Sequence, residues 1–257
     1  MRAYKVVATV AFSLVACATL ALADNDNNSK FQVIPRLYDP FHTNMAFSGW
    51  LSGTGCPTKA TINTTGSPSG NATYTDPACA TGDTNDKTNE GLFLVKTGPT
   101  GDYAAALADI TGLKTQVVTE LGYDIRKPTS ATDPRGSHCG AGAPRFDIST
   151  TDGKSYFIGC NSPPATTFVV GNGWLRLRWG GTTGLMGYNA STGILELITS
   201  PVKTIQIVMD EGQDTGPDNF GAAVLDNIDV NGVLVGQGPG NGNGDKGNNG
   251  NGQNNDN

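Results

Sequence analysis

Histidine is almost absent from this 257-residue chain, and the two present, His42 and His138, belong to no metal-binding or nucleophile pattern. There is no His-Glu-x-x-His run, and in Gly66-Ser67-Pro68-Ser69-Gly70 a proline stands where a nucleophilic serine would be needed. His138 adjoins Cys139, but neighbours on an extended chain point apart, which argues against a Cys-His dyad. No Cys-x-x-Cys pair exists to build a tetracysteine zinc site. Basic clusters are missing too: the formal net charge is -6, and such a surface repels phosphate backbones, so nucleic acid is not expected as a partner. Beyond Leu22 no apolar run is long enough to span a bilayer. No stretch keeps a helical period between caps.

What is present begins with an export signal. Met1 to Lys5 is short and basic, and Val6 to Leu22 is apolar apart from Thr9, Ser13 and Thr19. Cleavage after Ala21-Leu22-Ala23 leaves a polar leader, residues 24–30. Leu14-Val15-Ala16-Cys17 resembles a lipobox and would make Cys17 a lipid anchor, but the apolar run continues past it, so ordinary cleavage ranks first. Either way the expected location is extracytoplasmic: secreted, periplasmic or at the cell surface.

Of five cysteines, four remain after such cleavage: Cys56, Cys79, Cys139 and Cys160. An even number in an exported chain favours disulfides, and locality favours Cys56 with Cys79 and Cys139 with Cys160. Each bridge would close a loop of roughly twenty residues and contribute about 3 kcal/mol in the chain-entropy model. At the far end, residues 237–257 are nearly all Gly, Asn, Asp and Gln, with no apolar side chain to bury, and are expected to be a disordered tail. Between leader and tail lies one domain, residues 31–236.

Frequent Gly and Pro with alternating apolar and polar residues make that domain all-β, an antiparallel β-sandwich. Expected strands are Gly91 to Lys96, Val117 to Arg126, Arg145 to Ser149, Ser155 to Gly159, Trp174 to Trp179, Ile194 to Ile198, Thr204 to Met209 and Ala222 to Val230. Asp152-Gly153 and Asn231-Gly232 are hairpin turns. Along Val117 to Arg126 one face, with Leu121, Tyr123 and Ile125, is expected to be buried, and the other, with Glu120 and Asp124, wet. Tyr103 to Ala108 is a short, alanine-rich helix candidate that bracketing glycines weaken.

Three constellations carry chemistry. In Trp174-Leu175-Arg176-Leu177-Arg178-Trp179, alternation puts Trp174, Arg176 and Arg178 on one face, an aromatic platform with planar hydrogen-bonding groups suited to a sugar. The competing reading covers that face and pairs the arginines with neighbours such as Glu196. The acidic stretch from Asp210 through Asp214 and Asp218, with Asp226 beyond it, offers hard oxygen ligands for calcium, or is simply a solvated acidic turn. Glu120 and Asp124 share a strand face, but about 13 Å of strand separates their Cα atoms, beyond the usual spacing of a glycosidase pair.

The segment Gly221 to Gly232, with Leu225-Asp226-Asn227-Ile228-Asp229-Val230 at its centre, resembles the closing strand of jelly-roll extracellular modules of the galactose-binding-like and carbohydrate-binding type. The resemblance implies a jelly-roll sandwich, a structural calcium at Asp226 and a glycan or similar extracellular polymer as partner. A non-catalytic, secreted glycan-binding protein is therefore the first expectation. A structural or adhesive envelope protein without a small ligand is the second, and a polysaccharide-cleaving enzyme the third.

Overall fold

From Arg145 to Thr150 every second side chain is buried, and the same alternation organises most of the chain into strands of a two-layered sandwich. The computed structural model describes residues 31–56, 62–63, 73–74, 79, 81–97, 103–127, 142–160, 162–171, 173–210 and 220–240. The strands are β1 (Gln32–Tyr38), β2 (Ala46–Leu51), β3 (Ile62–Asn63), β4 (Thr73–Tyr74), β5 (Gly91–Thr97), β6 (Ala105–Thr111), β7 (Glu120–Arg126) and β8 (Arg145–Thr150). They continue with β9 (Ser155–Gly159), β10 (Thr166–Gly171), β11 (Trp174–Gly180), β12 (Met186–Asn189), β13 (Leu195–Leu197), β14 (Val202–Met209), β15 (Phe220–Val230) and β16 (Val233–Val235).

The first sheet runs β1-β6-β14-β8-β9-β12-β13 and the second β10-β11-β7-β15-β5-β2, with β16 paired to β15. All pairings are antiparallel, and the architecture is a jelly-roll β-sandwich. β3 and β4 form a separate two-stranded ribbon.

The inner faces meet in one apolar core. Phe146, Ile148, Ile158 and Ile207 come from the first sheet, and Leu92, Leu121, Tyr123, Ile125 and Trp179 from the second. Tyr123, Phe146 and Trp179 form a mutual aromatic contact with ring centroids 5.3 to 5.9 Å apart. Their polar atoms are satisfied: the Tyr123 hydroxyl donates to the Pro144 carbonyl at 2.8 Å and the Trp179 indole N–H to Pro163 at 2.9 Å. Burial holds the Tyr123 phenol well above its usual pKa.

Each expected strand is present, several with ends shifted by a residue or more. Asn231-Gly232 makes a two-residue hairpin, both residues at positive φ (52° and 81°), as a primed turn requires. Asp152-Gly153 turns β8 into β9, with Gly153 at φ 84°.

Two expectations need correcting. Ala105 to Ala108, two thirds of the helix candidate, belongs to β6, flanked by β1 and β14. Ladder hydrogen bonds on both sides outweigh alanine's modest helix preference. The second face of β7 is not wet, because Asp124 is fully buried and Gly122 is buried beside it. At the C-terminal end, Gln237 to Gly240 extend the described chain past the expected start of the tail, and Gly238 packs against the Trp50 ring while donating its N–H to Glu90. The signal peptide, the polar leader and residues 241–257 lie outside the described residues.

Candidate functional site

The Trp-Arg-Arg stripe has the alternation the sequence implied but not the exposure. Trp174 is 1% exposed, packed with Cys56, Cys79, Val170 and Val224 in a small second core on the outer face of the second sheet. It therefore cannot present its ring as a platform for a ligand. Cys56 and Cys79 are joined in a disulfide, as locality suggested, and together with residues 81–90 they roof this face. Cys160 is also disulfide-bonded; Cys139 lies outside the described residues.

Under the roof the arginines answer carboxylates. Asp124 accepts from Arg176 Nε at 2.7 Å and Nη2 at 2.8 Å, a bidentate pair, and from the Asn227 amide at 2.9 Å. Arg178 pairs with Asp229 at 2.9 Å and more loosely with Asp124 at 3.5 Å. Gly122 makes this route available, since a Cβ there would collide with Arg178 Cδ. Glu196, the partner considered for these arginines, pairs instead with Lys154 at 3.0 Å. Cys56, Cys79 and Asp124 bring ligand-type atoms close together, but both sulfurs are committed to each other, so the trio is not a metal site.

The expected calcium set is split by the fold. Asp210 pairs with Arg145 at 2.7 Å at the end of β14, in the first sheet. Asp226 is buried on β15, in the second sheet, at a register shift in its pairing with β7. Asp214 and Asp218 lie outside the described residues. The companions of Asp226 are instead Asp83, Asp86 and Glu90, on the roofing segment.

Burial, then repulsion from Asp86 and Asp124, pushes the Asp226 carboxyl well above its usual range. Burial, against backbone hydrogen bonds and with repulsion from Glu90 and Asp83, raises Asp86 to about 7. Backbone donors already converge there: Cys56 N–H on Asp226 at 2.6 Å, Gly236 N–H on Asp83 at 3.0 Å and Gly238 N–H on Glu90 at 2.8 Å. Gly236 fits so tightly that a Cβ would stand 2.6 Å from Asp226 Oδ1 and 3.2 Å from Asp83 Cβ. These carboxylates do not form a metal centre: among the described residues their oxygens are not gathered within ligand distance of one another, and backbone N–H groups already occupy them.

The outer face of the first sheet is organised differently. A groove of about 660 Å³ runs across β6, β14, β8 and β9, walled on one side by the segment around Leu113, Lys114 and Val118. Phe157, 38% exposed, lies opposite Asp147 on β8 and Tyr188 on β12. The Arg145 guanidinium stacks 5.5 Å from the Phe157 ring centroid. Arg145 also bridges Asp147 at 2.9 Å, while Asp109 is held by Arg36 at 2.8 Å and by the Gln206 amide at 2.6 Å.

This is an aromatic ring set among planar hydrogen-bonding groups that remain partly open to solvent. Burial raises the Asp147 pKa, with Arg145 opposing it. Asp109 and Asp147 flank Gln206 on neighbouring strands, so about 10 Å separates their Cα atoms. Each is tied to an arginine, an arrangement that fixes an acceptor in place rather than freeing it to exchange protons.

Sequence reasoning passed over this face. Phe157 is a single aromatic between buried neighbours on a short strand, and Gln206, Asp109 and Arg36 come from three other strands. The only signal available was the alternation of β8, where Arg145, Asp147 and Ser149 share a face opposite Phe146 and Ile148.

No family model matches the sequence, and no curated protein matches it. Among solved structures, the chain is similar to the family 11 carbohydrate-binding module of the cellulosomal cellulase Lic26A-Cel5E of Clostridium thermocellum, at 13% identity and a TM-score of 0.35, over 82% of this chain and 92% of that one. It is likewise similar to the family 11 module from Clostridium thermocellum in complex with a β-1,3-1,4-mixed-linked tetrasaccharide, at 14% identity and a TM-score of 0.35, over 83% and 95% of the two chains.

Proposed function

We propose that this is an exported, non-catalytic glycan-binding protein whose binding surface is the outer groove of the first sheet rather than the Trp174 stripe. The carrying observation is the partly exposed Phe157 ring backed by the Arg145 guanidinium and flanked by Asp147 and Gln206. A pyranose ring has an apolar face that can lie on an aromatic ring and equatorial hydroxyls that match planar carboxylate, amide and guanidinium groups. An open groove suits an internal stretch of polymer, and its mixture of balanced charges suits an uncharged one.

The structural calcium implied by the resemblance has no part in this reading, because Asp83, Asp86, Glu90 and Asp226 meet backbone donors rather than one another. Export accords with the signal-like leader and with the Cys56–Cys79 bridge.

The test is retention on a panel of soluble neutral glucans, xylans, mannans and galactans by affinity electrophoresis. The wild-type protein should be retarded by at least one, and Phe157→Ala should migrate freely on that polymer with an unchanged melting temperature. No retardation on any of them, or equal retardation of the variant, overturns the assignment.

A further inference from the structure

At one corner of the first sheet the chain holds three aromatic rings in solvent. Tyr38, the last residue of β1, is 54% exposed, Phe41 in the following turn 69%, and Tyr103, just before β6, 68%. Phe41 and Tyr103 touch edge to face with centroids 6.0 Å apart. Tyr38 lies across the ladder from Ala105, two residues beyond Tyr103, and on the same face as Arg36, which borders the groove.

The chain invests backbone order in this display. Asp39 Oδ1 accepts from the Thr43 N–H at 2.8 Å and hydroxyl at 2.9 Å, and Oδ2 from the Asn44 N–H at 2.7 Å. Asn44 in turn donates its side-chain amide to the His42 carbonyl at 3.1 Å. Although burial opposes it, these bonds and the nearby His42 hold the Asp39 carboxyl below its usual pKa. His42 and Asn44 sit at φ 54° and 55°, and Tyr103 at φ 59°, a left-handed conformation that a bulky side chain rarely adopts. Exposed aromatics on an ordered turn bind at low entropic cost, because the rings are already placed.

We infer that the Tyr38–Phe41–Tyr103 corner is a second contact for the same polysaccharide, a stacking point for a pyranose ring of a chain that also crosses Phe157. The inference rests on the glycan-binding reading of the groove. Phe157 on β9 is four strand spacings from β1, where the register reaches Ile34, and Tyr38 lies four residues further along that strand, so about 23 Å separates the two, with Arg36, Asp109 and Gln206 between them on the same face. The corner thus continues the groove's surface, and a polymer leaving over β1 meets it next. A bilayer is the poorer occupant, since a chain of net charge -6 is repelled by anionic headgroups.

The variant is Phe41→Ala with Tyr103→Gly, glycine being chosen because it tolerates the positive φ. The probes are the polysaccharide that retards the wild-type protein in the panel above, as a long chain and as its tetrasaccharide, titrated by calorimetry. The two ends act through effective concentration, so the double variant should bind the long chain about tenfold more weakly and the tetrasaccharide as the wild type does. Equal affinity of wild type and variant for the long chain overturns the corner site while leaving the groove assignment standing. So does a wild-type dimer in sedimentation velocity that the double variant abolishes, because the corner would then meet a second copy. A wild-type protein that binds neither probe removes both readings together.

Discussion

The two outward faces of the sandwich start from the same strand chemistry and end in opposite states. On the second sheet, Trp174, Arg176 and Arg178 alternate with core residues just as Phe157 and its neighbours do on the first. The second face is closed by the Cys56–Cys79 disulfide and residues 81–90, and its arginines answer Asp124 and Asp229. The first face has no such roof among the described residues, so Arg145, Asp147 and Gln206 remain partly open beside an aromatic ring. Planar charged groups are thus structural where water is excluded and available for recognition where it is not.

The largest effect should come from cutting the closed face. Asp124→Ala leaves the partly buried Arg176 guanidinium without its bidentate acceptor and Arg178 without its looser one, and should cost about 3–5 kcal/mol in urea unfolding. A loss under about 1 kcal/mol would mean that the arginines escape to water and that the roof is loose.

The pH dependence of the same face follows from linkage. Asp86 is raised from 3.8 to about 7, so its proton is held more tightly in the fold than in the unfolded chain. Its contribution is therefore present below about pH 4 and lost as pH rises through 7. Between pH 5 and 7 this amounts to about 2 kcal/mol, by the usual conversion of pKa into free energy. A melt that is flat from pH 5 to 8 would contradict this account.

The open face should respond in binding and not in folding. Phe157→Ala should cost about 2 kcal/mol of affinity, near thirtyfold in Kd, with a melting temperature close to wild type. Trp174→Phe should do the reverse, lowering stability while leaving affinity for the same polymer intact. If the two variants exchanged roles in paired calorimetry and melting experiments, the distinction between the faces would fail. The smallest effect belongs to Lys154→Met, which removes a solvent-exposed pair with Glu196 and should leave the melting temperature indistinguishable from wild type.

Much of the framework was readable before any coordinates. Strand period, hairpin turns and cysteine spacing are local signals, and they marked the eight expected strands and the Cys56–Cys79 bridge. The strands that escaped notice were β1, β2, β10, β12 and the short β3, β4 and β16, with β6 partly misread as a helix candidate. β1 contains Pro35, tolerable because the strand is at the edge of its sheet, and β6 is alanine-rich because small side chains fit where strands flank it on both sides. Neither feature announces a strand locally.

The candidate sites were less legible. Trp174 carried the strongest local signal for a sugar platform, and the segment that covers it comes from far along the chain, with residue 56 donating to residue 226 across 170 positions. The groove residues are spread over β1, β6, β8, β9 and β14, and only the strand order makes them neighbours.

By itself the sequence determined that this is an antiparallel, disulfide-stapled sandwich with alternating faces, because side-chain period and turn chemistry act between near neighbours. Which outward face is roofed and which is left for a ligand was decided by tertiary structure alone. That choice depends on where the Cys56–Cys79 disulfide and residues 81–90 pack, and on the strand order that gathers Arg36, Asp109, Asp147, Phe157 and Gln206 on one surface. Such long-range contacts are settled by the burial and pairing of whole elements, and no window of sequence contains them.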